Sequence, residues 1–289
     1  MQTAAALAKV TPGQTQTGAL AMPTPLEILL DPISLSVLGL YAAMILIEAL
    51  FPARTLPSVR GWRTRATIVF AFYFFTASYL PMLWSSVLSG YQIADLESVD
   101  PFIGATIAIL IYEFLVYAWH RTMHNVHWLW RSFHQMHHSA ERLDSFGAFY
   151  FSPLDIVGFT LLSSLSLSVV GLSALAVTYF LYATMFLGVF QHLNVRTPRW
   201  LGYFLQRPES HSVHHSRGVH QFNYSDLPLF DLIFGTFRNP KDFVAECGFY
   251  DGASAQWPQI LAFKDIAAHP ANAVHASTGA TSHADPRCK

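Results

Sequence analysis

Cysteine is nearly absent from this chain: among 289 residues only Cys247 and Cys288 carry a thiol. Two cysteines exclude a disulfide framework, a cysteine-based zinc site and an iron–sulfur motif. Charge is scarce too. Charged residues make up 12% of the chain, about half the usual share of a soluble domain. The formal net charge is −1, so no basic excess exists to neutralise phosphates, and a nucleic-acid partner is excluded. The first thirty residues lack a basic start followed by an apolar stretch, so no cleavable signal peptide is expected.

Apolar sequence is what the chain has in excess, at 52%. The runs 33–51, 66–88 and 102–119 each reach the roughly 18–20 residues that a helix needs to cross the hydrocarbon layer. The run 153–190 is longer and reads as two helices turning near "VVGLS". The fold class expected is therefore all-α, an integral membrane helical bundle of about five spans.

Cations orient these spans, because short loops rich in Lys and Arg stay on the cytoplasmic side. Arg54, Arg60, Arg63 and Arg65 lie between the first and second runs. Every cation from Arg121 onward follows the third run or the hairpin after it. The loop "GYQIADLESVD" and the "VVGLS" turn carry none. Sixteen of the seventeen cations fit one orientation, with segment 1–32 outside and only Lys9 on the far side. That orientation puts every histidine cluster at the cytoplasmic face.

Residues 119–138, "WHRTMHNVHWLWRSFHQMHH", hold six of the fourteen histidines. If the third span continues as a helix, Glu113, Tyr117, His120 and His124 form one stripe at i, i+4, i+7 and i+11. His134, His137 and His138 have the spacing HxxHH, again one helical face, and His211, His214 and His215 repeat it. His192 stands alone in "FQHLNVR". Imidazole suits iron, zinc, copper or nickel, whereas calcium and magnesium prefer oxygen. Nine imidazoles exceed what one such ion holds, so two ions with open positions fit better. The Glu-x-x-His pair of carboxylate-bridged di-iron bundles is absent, as is HExxH.

The stretches "YEFLVYAWHRTMH", "LWRSFHQMHHSAE", "FQHLNVR", "RPESHSVHHS" and "NYSDLPLFDLIFGTF" together resemble the fatty acid hydroxylase superfamily, also called the sterol desaturase family, over residues 105–238. The resemblance implies a membrane helical fold with a cytoplasmic histidine-rich cap, two iron ions, and oxygen-dependent attack on a lipid C–H bond. It also implies a metal set of His120, His124, His134, His137, His138, His192, His211, His214 and His215. Around them, Glu113, Tyr117, Asn194 and Asp231 are expected as supporting residues. Glu113 stands where many members have aspartate. Arg196 stands where some carry a further histidine, so a tenth ligand is missing or replaced by water or Asn194. The chain then divides into an outer segment 1–32, spans 33–104, a catalytic domain 105–238 and a polar, partly disordered tail 239–289.

Other residues receive smaller roles. His127 is a weak ligand candidate, and His220 is expected to orient a neighbour or line a substrate entrance. His269, His275 and His283 fall in small-residue, low-complexity sequence and are expected to be solvated. Asp226 and Asp231 are expected to brace the last helix, and Trp119, Trp128, Trp130 and Trp200 to form an interfacial aromatic belt. With no haem motif and no nucleotide fingerprint, electrons must come from a separate protein, while O2 and a lipid from the bilayer are the other partners. The reaction expected is hydroxylation, or desaturation, of an aliphatic or sterol-like lipid. Two alternatives stay open: a zinc-dependent membrane hydrolase, and a metal-binding membrane protein without turnover.

Overall fold

The computed structural model describes residues 22–267, so Lys9, Cys288, the tail histidines His269, His275 and His283, and the tail from residue 268 on lie outside the described residues. A short helix α1 (Pro25–Leu30) leads into α2 (Pro32–Leu50), followed by α3 (Trp62–Leu88) and α4 (Pro101–Asn125). The hairpin α5 (Pro153–Val170) and α6 (Ala174–Phe190) comes next, then two short cap helices, α7 (Pro208–His214) and α8 (Leu229–Phe234). Among the described residues, extended pairing is limited to isolated bridges.

The helix starts are written in the sequence. Thr24-Pro25, Asp31-Pro32, Asp100-Pro101 and Ser152-Pro153 each place a capping oxygen before a proline at the first helical position. The cap accepts hydrogen bonds from first-turn N–H groups, and proline lacks the N–H that would be unpaired there. Asp100 Oδ1, for example, accepts from the N–H groups of Phe102 at 3.0 Å and Ile103 at 3.2 Å.

Helices α2, α3, α4 and α5 are long and apolar enough to cross a membrane. All five expected apolar helices are present, but α6 is shorter, at 17 residues. At about 1.5 Å per residue it covers roughly 25 Å, less than the ~30 Å hydrocarbon core. Leu35, Ile47, Ile68, Phe72, Leu83 and Phe114 are exposed along the outer faces. Apolar surface of that extent does not persist against water, so the chain is a membrane protein. Inside the bundle, α3 packs on α5, α4 on both α5 and α6, and α2 on α6.

The two ends of the bundle differ. At one end, the loop after α3 closes on the hairpin turn, with Ile93 N–H donating to Val169 C=O and Leu96 N–H to Gly171 C=O, both at 2.9 Å. Gly171 has φ +52°, and a Cβ there would strike the Gln92 side chain. At the other end, Glu48 Oε2 accepts from Ser145 N–H at 2.7 Å and Asn194 N–H at 3.0 Å. This seam ties the last turn of α2 to the segments that carry the histidines.

Residues beyond 238 belong to the same cap: Trp62, Tyr150, Phe249, Ile260 and Ile266 share one core cluster. Packing therefore continues past the boundary drawn at 238. The aromatic belt also needs correction. Trp128 and Trp200 are exposed, but Trp119 packs on Gly158 and Phe133, and Trp130 lies against the His124 ring, with centroids 4.8 Å apart.

Candidate metal centre

Four segments deliver the imidazoles to one end of the bundle. The last two turns of α4 carry His120 and His124. The chain then turns at Val126, passes through a π-helical turn (Trp130–His134) and a short α-helical stretch (Gln135–His138), and so presents His134, His137 and His138. His192 follows the end of α6. The third cluster comes from α7 and its C-cap, His215.

These nine side chains sort into two groups. His120, His124, His134, His138 and His214 form one, and His137, His192, His211 and His215 the other; within each group the ligating atoms lie within 4.8 Å of one another. Each HxxHH motif is divided between the groups. His134 and His138, one helical turn apart, join the first group while His137 joins the second. His211 and His215 join the second while His214 joins the first.

The hydrogen bonds fix which ring nitrogen is free. A backbone carbonyl can only accept, so an imidazole nitrogen facing one carries the proton. His120 Nδ1 donates to Tyr224 C=O, His214 Nδ1 to Phe222 C=O and His192 Nδ1 to Gly188 C=O, each at 2.7 Å. His134 Nδ1 donates to the buried Asp155 carboxylate at 2.7 Å, and His138 Nδ1 lies 3.1 Å from His220 Nδ1. In a neutral ring whose Nδ1 donates to a carbonyl or carboxylate, as in His120, His134, His192 and His214, the Nε2 lone pair is left free, which is the usual way a protein prepares a histidine ligand.

The Nε2 atoms of His120, His124, His134, His138 and His214 are all buried without a hydrogen-bond partner. In the second group, His192 Nε2 lies 3.2 Å from His137 Nε2 and 3.1 Å from His211 Nε2, which is 3.1 Å from His215 Nε2. Two nitrogens bound to one ion at about 2.0–2.1 Å would be separated by roughly this distance. The donor set therefore fits two transition-metal ions.

Burial also keeps the rings neutral. It pushes His134, His137, His138, His211, His214 and His215 well below the ordinary imidazole range, and neighbouring imidazoles add to the effect. Burial lowers His192 and His220 to about 4. A neutral imidazole is the form that binds a metal.

The expected supporting residues make hydrogen bonds to backbone and side chains of the cap. Glu113 is fully buried and its Oε2 accepts from Leu227 N–H at 2.9 Å, so it anchors the loop before α8. Asp231, inside α8, accepts from the N–H groups of Tyr224 at 2.9 Å and Ser225 at 3.1 Å, which aims the Tyr224 carbonyl that His120 uses. Tyr117 Oη accepts from Arg121 at 2.8 Å. Asn194 Nδ2 donates to Arg54 C=O at 2.7 Å, and Arg196 pairs with Asp242 on the surface. Asp226 Oδ1 accepts from Gln191 Nε2 at 2.6 Å. His127 bonds the Asp265 carboxylate at 2.7 Å, away from both groups. The sequence reading missed Asp155. It is the lone charged residue in the apolar run 153–190, and an ionisable group in such a run marks a functional position.

A cavity of about 240 Å³ leads from the bundle interior to the imidazoles. Its walls are apolar and aromatic, with Val37, Phe74, Phe159, Phe180 and Met185 from four helices. At its deep end it reaches His120, His134, His137, His192 and His211, with Asp226 and Gln191 beside them. A larger hollow of about 580 Å³ lies at the opposite end, lined by serines, Asp95 and Glu97, and no imidazole reaches it.

Residues 105–236 match the family model described as fatty acid hydroxylase. The chain is 27% identical over 144 residues to cholesterol 25-hydroxylase of Rattus norvegicus, covering 46% of each protein. It is 32% identical over 139 residues to an ornithine lipid hydroxylase of Rhizobium tropici, covering 46% of this chain and 41% of the relative. A very-long-chain aldehyde decarbonylase of Oryza sativa subsp. indica is 29% identical over 147 residues, which are 46% of this chain and 23% of that protein. The similar region thus spans less than half the length of these relatives. No solved structure matches the chain.

Proposed function

Because residues 105–236 make this chain a member of the fatty acid hydroxylase superfamily, we propose that it is an integral-membrane lipid hydroxylase with a di-iron centre. The observation that carries this reading is the meeting of two groups of neutral imidazoles with the deep end of an apolar cavity among the spans. His120, His124, His134, His138 and His214 would hold one ion, and His137, His192, His211 and His215 the other. Bound iron supplies dioxygen binding and the redox change needed to oxidise an aliphatic C–H bond.

The chain's own residues perform the rest. The aromatic and aliphatic walls take an acyl or sterol-like segment out of the bilayer and exclude water from the reacting carbon. The carbonyls of Tyr224, Phe222 and Gly188, with the Asp155 carboxylate, hold the rings of His120, His214, His192 and His134 in the tautomer whose Nε2 faces the centre. Hydroxylation is the first reading; desaturation would need a second hydrogen held within reach. Electrons come from a separate donor protein.

The test supplies membranes containing the chain with iron, reductant, an electron-transfer partner and labelled O2. Label in a new lipid hydroxyl supports the reading, and label arriving only from water points to a metal hydrolase. Comparing lipid extracts of cells with and without the chain then identifies the substrate. For orientation, the cation distribution supports a cytoplasmic cap and an outer N-terminus. Reporter fusions after Pro57 and after Arg199 are expected in the cytoplasm and one near Ala94 opposite; a cytoplasmic reading near Ala94 breaks this arrangement.

A further inference from the structure

One short stretch, residues 220–224, serves three of the five imidazoles in the first group. The His220 ring meets His138, the Phe222 carbonyl meets His214, and the Tyr224 carbonyl meets His120. Its backbone is unusual: His220, Phe222 and Asn223 have φ of +44°, +68° and +51°. Residues other than glycine rarely occupy that region, and they persist there only where the surroundings over-determine them.

Here they are over-determined. Asn223 donates from Nδ2 to Ser210 C=O at 2.7 Å and Arg238 C=O at 3.0 Å, and its Oδ1 accepts from Arg238 N–H at 2.7 Å. Asp231 pins the next two N–H groups. A fourth imidazole of this group, His134, is fixed by Asp155.

The second group has no such frame. His192 is oriented by Gly188, but Nδ1 of His137 and of His211 is buried without a partner. Three of its four rings, those of His137, His192 and His211, line the cavity, against two of the five in the first group, His120 and His134.

We propose that the two ions are held unequally: the five-imidazole group retains its ion, while the four-imidazole group exchanges its own through the cavity side. His220 is a positioning residue for the retained ion, since it fixes the His138 ring with His138 Nδ1–H donating and His220 Nδ1 accepting. This inference rests on the two-ion reading above. Outer hydrogen-bond partners of metal-bound histidines commonly change metal affinity by about 10–100-fold when removed, so the asymmetry is measurable.

The experiment uses the full chain in detergent, stripped of metal, reloaded with two equivalents of Co²⁺ and challenged with a chelator. Release is followed by metal analysis and by the visible Co²⁺ bands. Two phases of one equivalent each are expected. His220→Ala speeds the slow phase about tenfold or more and leaves the fast one unchanged, and His220→Gln, which keeps an acceptor, restores part of the retention. His192→Ala removes the fast-releasing equivalent alone. Release of both ions in a single phase overturns the inference without any variant, as does an effect of His220→Ala on the fast phase. Binding of fewer than two equivalents by the unaltered chain overturns the two-ion reading itself.

Discussion

Along α3, Ile68, Phe72 and Leu83 face outward uncovered, whereas in the cap Gln135, His138, Ser139 and Asn223 are wholly buried. The bundle keeps apolar groups at its surface and the cap keeps polar groups inside. A soluble protein would do neither at this scale, because exposed apolar surface and unpaired buried polar groups are both costly in water. The spans are stabilised by their surroundings and tolerate exchange of one apolar side chain for another. In the cap, Nδ1 of His120, His134, His192 and His214 has its own hydrogen-bond partner, so single atoms count.

The sharpest way to break that comparison is to remove a ligand. Replacing His120, His124, His134, His137, His138, His211, His214 or His215 singly by alanine is expected to abolish turnover and to lower bound metal, read by metal analysis of purified protein. Retention of both ions and of activity in most of these variants would end the two-ion reading. A large but smaller effect is expected at Asp155, which touches the centre only through His134. Asp155→Ala should weaken binding of one ion by about 10–100-fold, measured by chelator competition, and Asp155→Asn should weaken it less because it retains an acceptor.

These two sets of residues also mark how far the sequence could be read. Apolar run lengths located α2 to α6, since they depend on local chemistry alone, although α3 begins at Trp62, ahead of the run 66–88, and α4 continues to Asn125. Histidine spacing brought out eight of the nine imidazoles, because i, i+3 and i+4 share a helical face; His192 stands alone and came from the family resemblance. Spacing could not divide them between two groups, as each HxxHH serves both. That division depends on how α7 docks against the turn at 126–138. The carbonyls of Phe222 and Tyr224 were illegible for a different reason: every residue has a carbonyl, and only the strained path of 220–224 aims these two.

A third prediction concerns the seam between bundle and cap. Glu113 is a buried carboxylate of α4 whose Oε2 holds Leu227 N–H. Glu113→Ala leaves that donor without its acceptor, a loss of about 1–3 kcal/mol. It should appear as a lower melting temperature of the metal-loaded protein, with metal stoichiometry unchanged. Glu113→Gln keeps an acceptor and should lie close to the unaltered chain. Loss of an ion in either variant would instead give Glu113 a direct place in the centre.

The smallest effect is expected at His127, and it tests whether spacing alone makes a ligand. His127 follows His124 by three residues and, on an unbroken helix, would extend the stripe of His120 and His124. The helix does not continue: α4 ends at Asn125, and Val126 is extended with φ −112° and ψ 104°. That break swings His127 outward, where its side chain is 68% exposed and bonds Asp265 at the surface. Exposed pairs of this kind contribute about 0–1 kcal/mol. His127→Ala should therefore retain both ions and full turnover, with at most a small shift in melting temperature. An ion lost from this variant would mean that the helix runs on through Val126 and that the five-imidazole group has a different membership.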